Sequence, residues 1–225
     1  MSKNKLTLRN IPIFPLPNVV FFPKTFLPLH VFEPRYRKMI EQSEEHNRLI
    51  GVGLLKEGWE NDYFGTPDVH EIACVGKIEQ YERLTDGKYN IMLYGVSKIK
   101  IKNFIQDEPY RIAQVEYLSE RQIDPSEMNE EEEAKAFIQL VKKYLTEVGV
   151  ENSHEIISIQ KYSLESIINQ IAAILDFSTT EKQELLELDS LETRYLQLKS
   201  LINAQLQAIR IARHVKFIPK DPSLN

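Results

Sequence analysis

Apolar and polar residues alternate with a period of two through the first half of the chain and take up a helical period in the second. The alternation is clearest from Tyr89 to Ile105, where Tyr89, Ile91, Leu93, Ile99 and Ile101 fall on one side and Lys98, Lys100 and Lys102 on the other. That pattern predicts a strand with one buried and one wet face. Gly95 falls on the buried side, where a missing side chain lets the strand bend across its neighbour. Thr85-Asp86-Gly87-Lys88 joins this strand to a preceding one at Glu71–Arg83, because Asp-Gly readily supplies the positive φ of a hairpin turn. Ile50–Lys56 is a short buried-strand pattern with two glycines. Arg111–Leu118 alternates again, with Ala113, Val115 and Tyr117 facing inward. No long helix fits between residues 71 and 105.

The stretch from Ile11 to Ile40 carries prolines 12, 15, 17, 23, 28 and 34 among apolar pairs. Proline has no backbone donor, so it belongs at sheet edges, strand ends and first helical turns. The run therefore predicts short strands crossing at proline-marked corners, in a small, highly curved sheet or partly closed barrel. A helix opens at Glu33-Pro34-Arg35-Tyr36.

Beyond Glu120 the period changes. Asp124-Pro125-Ser126-Glu127 has the form of a helix start, with acids at 127 and 130–133 suited to the positive end of the helix dipole. The helix buries Phe137, Leu140, Val141, Tyr144 and Leu145 and ends near Gly149. Asn152–Glu155 opens a second helical stretch running through Ile167, Ile168, Ile171, Ile174 and Leu175. Ser178–Glu181 caps a third and Asp189–Glu192 a fourth. The last is the longest, with Leu191, Tyr195, Leu198, Ile202, Leu206 and Ile209 as its stripe. The expected architecture is α+β: a curved β domain over residues 1–120, then a helical bundle over 121–225 with a long C-terminal helix. No Gly- or Ser-rich linker separates them, so the two are expected to pack together.

Composition narrows the function classes. The 225 residues suffice for one large domain or two small ones with real cores. A net charge of −5 disfavours a dedicated nucleic-acid binder. No apolar run reaches 18 residues, and the N-terminal MSKNKLTLRN lacks the apolar segment of a signal peptide, so no membrane partner is expected. The single cysteine, Cys74, cannot form an internal disulfide and fits a reducing compartment. A cytoplasmic location is the expectation.

Three passages resemble the Lon protease amino-terminal, substrate-binding domain family. They are IPIFPLPNVVFFP, FLPLHVFEPRYRKMI and EIACVGKIEQYERLTDGKYNIMLYGVSKIKIK, and the helical segments LESIINQIAAIL and LETRYLQLKSLINAQLQAIRIARHV extend the likeness over about residues 9–215. The resemblance implies a PUA-like β domain joined to a helix bundle, and a role in recognising protein substrates. Full Lon proteases add an ATPase with a P-loop and a protease with a Ser-Lys dyad. This sequence contains no Gly-x-x-x-x-Gly-Lys-Ser/Thr motif. The resemblance is therefore to the free-standing bacterial form, and ATP-dependent proteolysis does not transfer with it.

The candidate chemistry fits recognition better than catalysis. His30, His46, His70, His154 and His214 are isolated and show no metal-ligand spacing, and Cys74 lies in an apolar strand segment where a thiol is inert. Neither an enzyme, a metal nor a cofactor is expected. The loop from Glu57 to His70 holds the only tryptophan, Trp59, with Tyr63 and Phe64, and aromatic residues on loops are frequent binding anchors. Phe21, Phe22 and Phe26 around Pro23 are the second set, although core roles suit most of them. Glu33, Arg35 and Tyr36 form a polar patch at a helix start, which tying the helix to the sheet also explains. The expected function is non-catalytic recognition of unfolded or extended polypeptides through apolar surface, in company with a separate ATP-dependent protease. The alternative is a PUA-like RNA-binding module that uses the Lys98, Lys100, Lys102 stripe. A hydrolase is a weaker third.

Overall fold

The period-two segments form one curved six-stranded sheet in the computed structural model, which describes residues 8–62, 65–122, 129–150 and 163–216. The strands are β1 (Arg9–Leu16), β2 (Phe26–Val31), β3 (Leu49–Leu54), β4 (Ile72–Arg83), β5 (Tyr89–Gln106) and β6 (Ile112–Tyr117). Their order is β2-β5-β4-β3-β1-β6, and β6 pairs again with β5. Five strands thus close a ring. The long β5 makes this possible by serving two partners: Tyr89–Tyr94 pairs with β2, and Ile99–Gln106 pairs with β6. β2 stands outside the ring as its edge strand.

The turn at Asp86-Gly87 behaves as its chemistry dictates. Gly87 takes φ +80°, and the Leu84 N–H donates to the Lys88 carbonyl at 2.8 Å. Between β4 and β5, Val75 pairs with Ser97 and Gly76 with Gly95, so Val96 is an extra residue in β5. A bulge of this kind bends and twists the strand. At the bend, the segment 22–25 crosses β5: Lys24 N–H donates to the Gly95 carbonyl at 2.8 Å, and Gly95 N–H to the Thr25 carbonyl at 2.9 Å. Lys24 itself takes φ +58° to make this crossing.

Alternate residues of β1 and β4 enter different cores. Ile11, Ile13, Ala73 and Val75 cluster with Ile99, Ile101, Ala113 and Val115. Phe14 and Cys74 turn the other way, to a cluster that helix α1 (Pro34–Glu41) covers with Tyr36, Met39 and Ile40. Apolar area removed from water on both faces is the main stabilising term for such a sheet.

The helices are α2 (Glu130–Val148), α3 (Leu164–Ile174), α4 (Thr179–Glu187) and α5 (Leu191–Lys216). α2 is capped by Asn129, whose side chain accepts from the N–H groups of Glu131 and Glu132. The segment 124–127 lies outside the described residues, as does the start expected at Asn152–Glu155. Gly149 closes α2 at φ +83°. Ser178 and Glu181 form the reciprocal capping box of α4. For α5 the cap within the expected Asp189–Glu192 stretch is Ser190, whose Oγ accepts from Thr193 N–H at 3.1 Å. Leu191, Tyr195, Leu198, Ile202 and Leu206 are buried along α5, whereas Ile174, expected in the core, is exposed.

The chain divides into two units, residues 1–121 with 169–189 and residues 122–168 with 190–225. The first unit takes in α4, which the change of period at Glu120 groups with the helical half. In the second, Phe137 of α2 meets Tyr195 of α5 edge to face at 5.2 Å. The Tyr195 hydroxyl donates to Glu133, and Lys199 donates to that hydroxyl at 3.2 Å.

Candidate functional site

The outer face of β2, β5 and β4 presents exposed apolar side chains to solvent. Side chains on β2 alternate, so Phe26, Pro28 and His30 point outward while Leu27 and Leu29 turn toward the core. Register places Phe26 opposite Tyr94, Pro28 opposite Met92 and His30 opposite Asn90. A shift between Ile78 and Gln80 then aligns Met92 with Gln80 and Asn90 with Glu82 on β4. Phe26 is 64% exposed, and its ring lies 5.0 Å from that of Tyr94. Phe32, 57% exposed, stacks on His30, whose Nδ1 lies 2.8 Å from Asn90 Oδ1. Pro28, His30, Gln80, Glu82, Asn90 and Met92 line a shallow groove of about 530 Å³ on this face. Beneath it, burial pushes the Tyr89 phenol above its ordinary value, with the nearby Glu41 carboxylate adding to the shift.

β2 also ends the sheet. Among the described residues no strand pairs with its other edge. Since Gly95 N–H donates to Thr25, ladder alternation turns the main-chain groups of Leu27, Leu29 and Val31 toward β5. Those of Phe26, Pro28 and His30 face the open edge, where proline is tolerated because no donor is needed.

The three phenylalanines around Pro23 divide between core and surface, with core roles for most of them. Phe21 and Phe22 are core residues, at 2% and 0% exposure, and only Phe26 reaches the surface. Close approach explains the difference: Phe21 packs over Gly76, and the Phe22 carbonyl lies against Gly95. Phe26, one turn further along, has already crossed β5. The alternation of Phe26, Pro28, His30 and Phe32 with Leu27, Leu29 and Val31 was the signal that could have marked this outer row, together with Met92 and Tyr94.

Glu33, Arg35 and Tyr36 do assemble at the start of α1. The Glu33 carbonyl accepts from Arg37 N–H at 2.9 Å, but its side chain makes no cap. Its carboxylate instead accepts from Arg35 Nε at 3.0 Å. The Arg35 guanidinium lies 4.7 Å from the Tyr36 ring, which is buried against Phe14 at 4.3 Å. The cluster thus ties α1 to β1.

In the 57–70 loop, Trp59 opens a 3-10 turn (Trp59–Asp62) and is partly exposed; Tyr63 and Phe64 lie outside the described residues. The base of the loop is clamped. Lys56 N–H donates to the Asp68 carbonyl at 2.8 Å, His70 N–H to the Leu54 carbonyl at 2.9 Å, and Arg111 to the Pro67 carbonyl at 2.7 Å. Trp59 borders a groove of about 570 Å³ between this loop and α4.

The lysine stripe is not the wet row its period implies. Lys98 is 5% exposed, donating to the Leu188 carbonyl and pairing with Glu120 at 3.3 Å. Lys100 pairs with Glu71 at 3.2 Å and Lys102 with Glu116 at 2.5 Å. Carboxylates therefore neutralise the face that would have met phosphates. Cys74 is buried, and among the described residues no group of His, Cys, Asp or Glu could hold a metal ion. No helix among the described residues is long and apolar enough to cross a membrane.

Known proteins give this arrangement a lineage. The Lon protease of Flavobacterium johnsoniae is 25% identical over 213 residues, covering 92% of this chain and 25% of that protein. The Lon protease of Cytophaga hutchinsonii is 28% identical over 211 residues, covering 91% and 25%. The chain thus spans about a quarter of the length of the curated relatives it matches. Among solved structures, the N-terminal domain of a Mycobacterium avium complex Lon protease superimposes with a TM-score of 0.67 at 13% identity, covering 87% of this chain and 98% of that one. A Lon N-terminal domain protein from Xanthomonas campestris gives 0.57 at 18% identity, with the same coverage. Both show the fold. The model of the ATP-dependent protease La (LON) substrate-binding domain matches residues 10–204, and the chain belongs to that family.

Proposed function

We propose that this domain recognises protein substrates without catalysis, holding unfolded or extended segments against the outer face and free edge of β2. The observation that carries the reading is a row of exposed Phe26 and Pro28 with half-buried Met92 and Tyr94 beside an edge strand. An extended segment laid along β2 would pair main-chain groups with that edge and set alternate side chains on the aromatic row. Pro28 removes one donor from the edge, so affinity rests more on apolar contact than on a full ladder. Weak, sequence-tolerant binding is the expected result. Segments held this way would be the substrates of a separate ATP-dependent protease.

The test uses a fluorescein-labelled, reduced and carboxymethylated protein as the unfolded client, followed by anisotropy. Replacing Phe26 and Tyr94 together by serine should weaken capture at least tenfold, about 1.4 kcal/mol, while circular dichroism stays unchanged. Capture should persist at high salt, whereas binding to RNA phosphates would collapse. Unaltered capture by the folded double variant would remove β2 from the site. Cleavage of the client by the purified chain alone would overturn the non-catalytic reading, and failure of an ATP-dependent protease to co-purify with the tagged chain would remove the proposed partner.

A further inference from the structure

A second feature of the first unit has no part in the β2 face. The groove beside Trp59 is walled on one side by the clamped loop, with Lys56, Glu57, Trp59 and Glu60, and on the other by α4, with Gln183, Glu184 and Glu187. Thr180, Gln183, Glu184 and Glu187 are spaced i, i+3, i+4 and i+7, so one face of α4 lines it. Gln183 is buried and fixes that face, donating to the Ile72 carbonyl at 2.9 Å and to Glu187 at 2.8 Å. Leu54 and Leu55, both buried, form an apolar floor.

Charge in the groove is one-sided. Four carboxylates, Glu57, Glu60, Glu184 and Glu187, meet Lys56 and His70, and His70 is already engaged with Glu187 at 3.4 Å. Among the described residues Glu57, Glu60 and Glu184 have no ion-pair partner. An anionic occupant is disfavoured twice over: by these acids, and because the capping box of Ser178 and Glu181 already satisfies the start of α4. An apolar floor, an indole at the rim and carboxylates on both walls suit a long side chain with an aliphatic stem and a cationic head.

We propose that the groove beside Trp59 receives the basic side chain of an extended polypeptide, arginine foremost, with the guanidinium against the indole and the glutamates. The polypeptide source of that side chain rests on the proposed function; the cation site itself does not.

The probe is acetyl-Gly-Arg-Gly-amide, compared with the counterpart carrying citrulline, which has the same shape and no charge. Trp59 is the only tryptophan, so its indole N–H resonance reports the groove directly. The arginine peptide should shift that resonance saturably. The citrulline peptide should bind at least tenfold more weakly, as should the arginine peptide to the Glu60→Gln, Glu184→Gln double variant, with its fold checked by circular dichroism. No shift with the arginine peptide, or equal binding of both peptides, overturns the proposal. The Phe26→Ser, Tyr94→Ser variant should bind the arginine peptide normally. If that variant captures unfolded protein unchanged while the arginine peptide still binds, the β2 reading falls and the cation groove stands.

Discussion

Gly95 lies so close to Phe22 that a Cβ built on it would stand 2.2 Å from the Phe22 carbonyl oxygen. The collision is with backbone, and the same backbone is held to β5 by the hydrogen bonds of Lys24 and Thr25 on Gly95. This contact lets the chain cross β5 and emerge as the edge strand β2, so the position of Phe26 depends on it.

Gly95→Ala should therefore destabilise the protein by about 3 kcal/mol or more, at the upper end of overpacking costs. At Gly51 the nearest atom to an added Cβ is the tip of the Ile13 side chain, at 2.6 Å, which can rotate away. Gly51→Ala should cost less, about 1–2 kcal/mol. Urea unfolding midpoints give the ranking, and a reversed order would show that segment 22–25 moves freely.

Phe21 and Phe26 should separate stability from binding. Phe21→Ala leaves a cavity over Gly76 and should cost about 3–5 kcal/mol. Phe26→Ala removes an exposed ring and should change stability by no more than about 0.5 kcal/mol. Equal losses in denaturant unfolding would mean that Phe26 is covered in solution.

Lys98 holds the Leu188 carbonyl and Glu120 in a nearly dry setting. Lys98→Met would take the buried ammonium from Glu120 and the Leu188 carbonyl, and should cost about 3–5 kcal/mol. Lys102→Met breaks the more exposed pair with Glu116 and should cost less than about 1 kcal/mol. Thermal unfolding of the two variants distinguishes them, and similar melting temperatures would put Lys98 in water.

Alkaline pH should weaken the fold. Burial pushes the Tyr195 phenol well above its ordinary value, and the hydrogen bond to Glu133 and that carboxylate's charge add to it. Burial also raises Tyr110 and Tyr117. A group raised in the folded state contributes stability below its unfolded pKa, about 10 for tyrosine, and loses it as pH rises through the folded value. Unfolding free energy should thus fall above about pH 10, and less steeply in Tyr195→Phe. An identical slope in the variant would show that Tyr195 ionises at its ordinary pH.

Much of the fold was legible in local pattern. The hairpin at Asp86-Gly87, the strands on either side of it, the helix at Pro34, the capping box at Ser178–Glu181 and the stripe along α5 all follow from period, turn chemistry and capping. Each depends on residues a few positions apart, which is the range over which backbone sterics and alternation act.

The exposed row on β2 and the burial of Lys98 could not be read the same way. Period two states that Lys98 faces away from Ile99, but not that Leu188, ninety positions later, covers it. Likewise Phe21, Phe22 and Phe26 are one residue type in one run, and hydrophobicity gives them the same preference. Which of them reaches water was decided by the gaps at Gly76 and Gly95 that let the chain cross the sheet. The amino-acid order by itself determined the elements and the faces each would offer. Only the tertiary structure decided which faces stayed open, because covering a face depends on where distant backbone fits and not on the pattern within it.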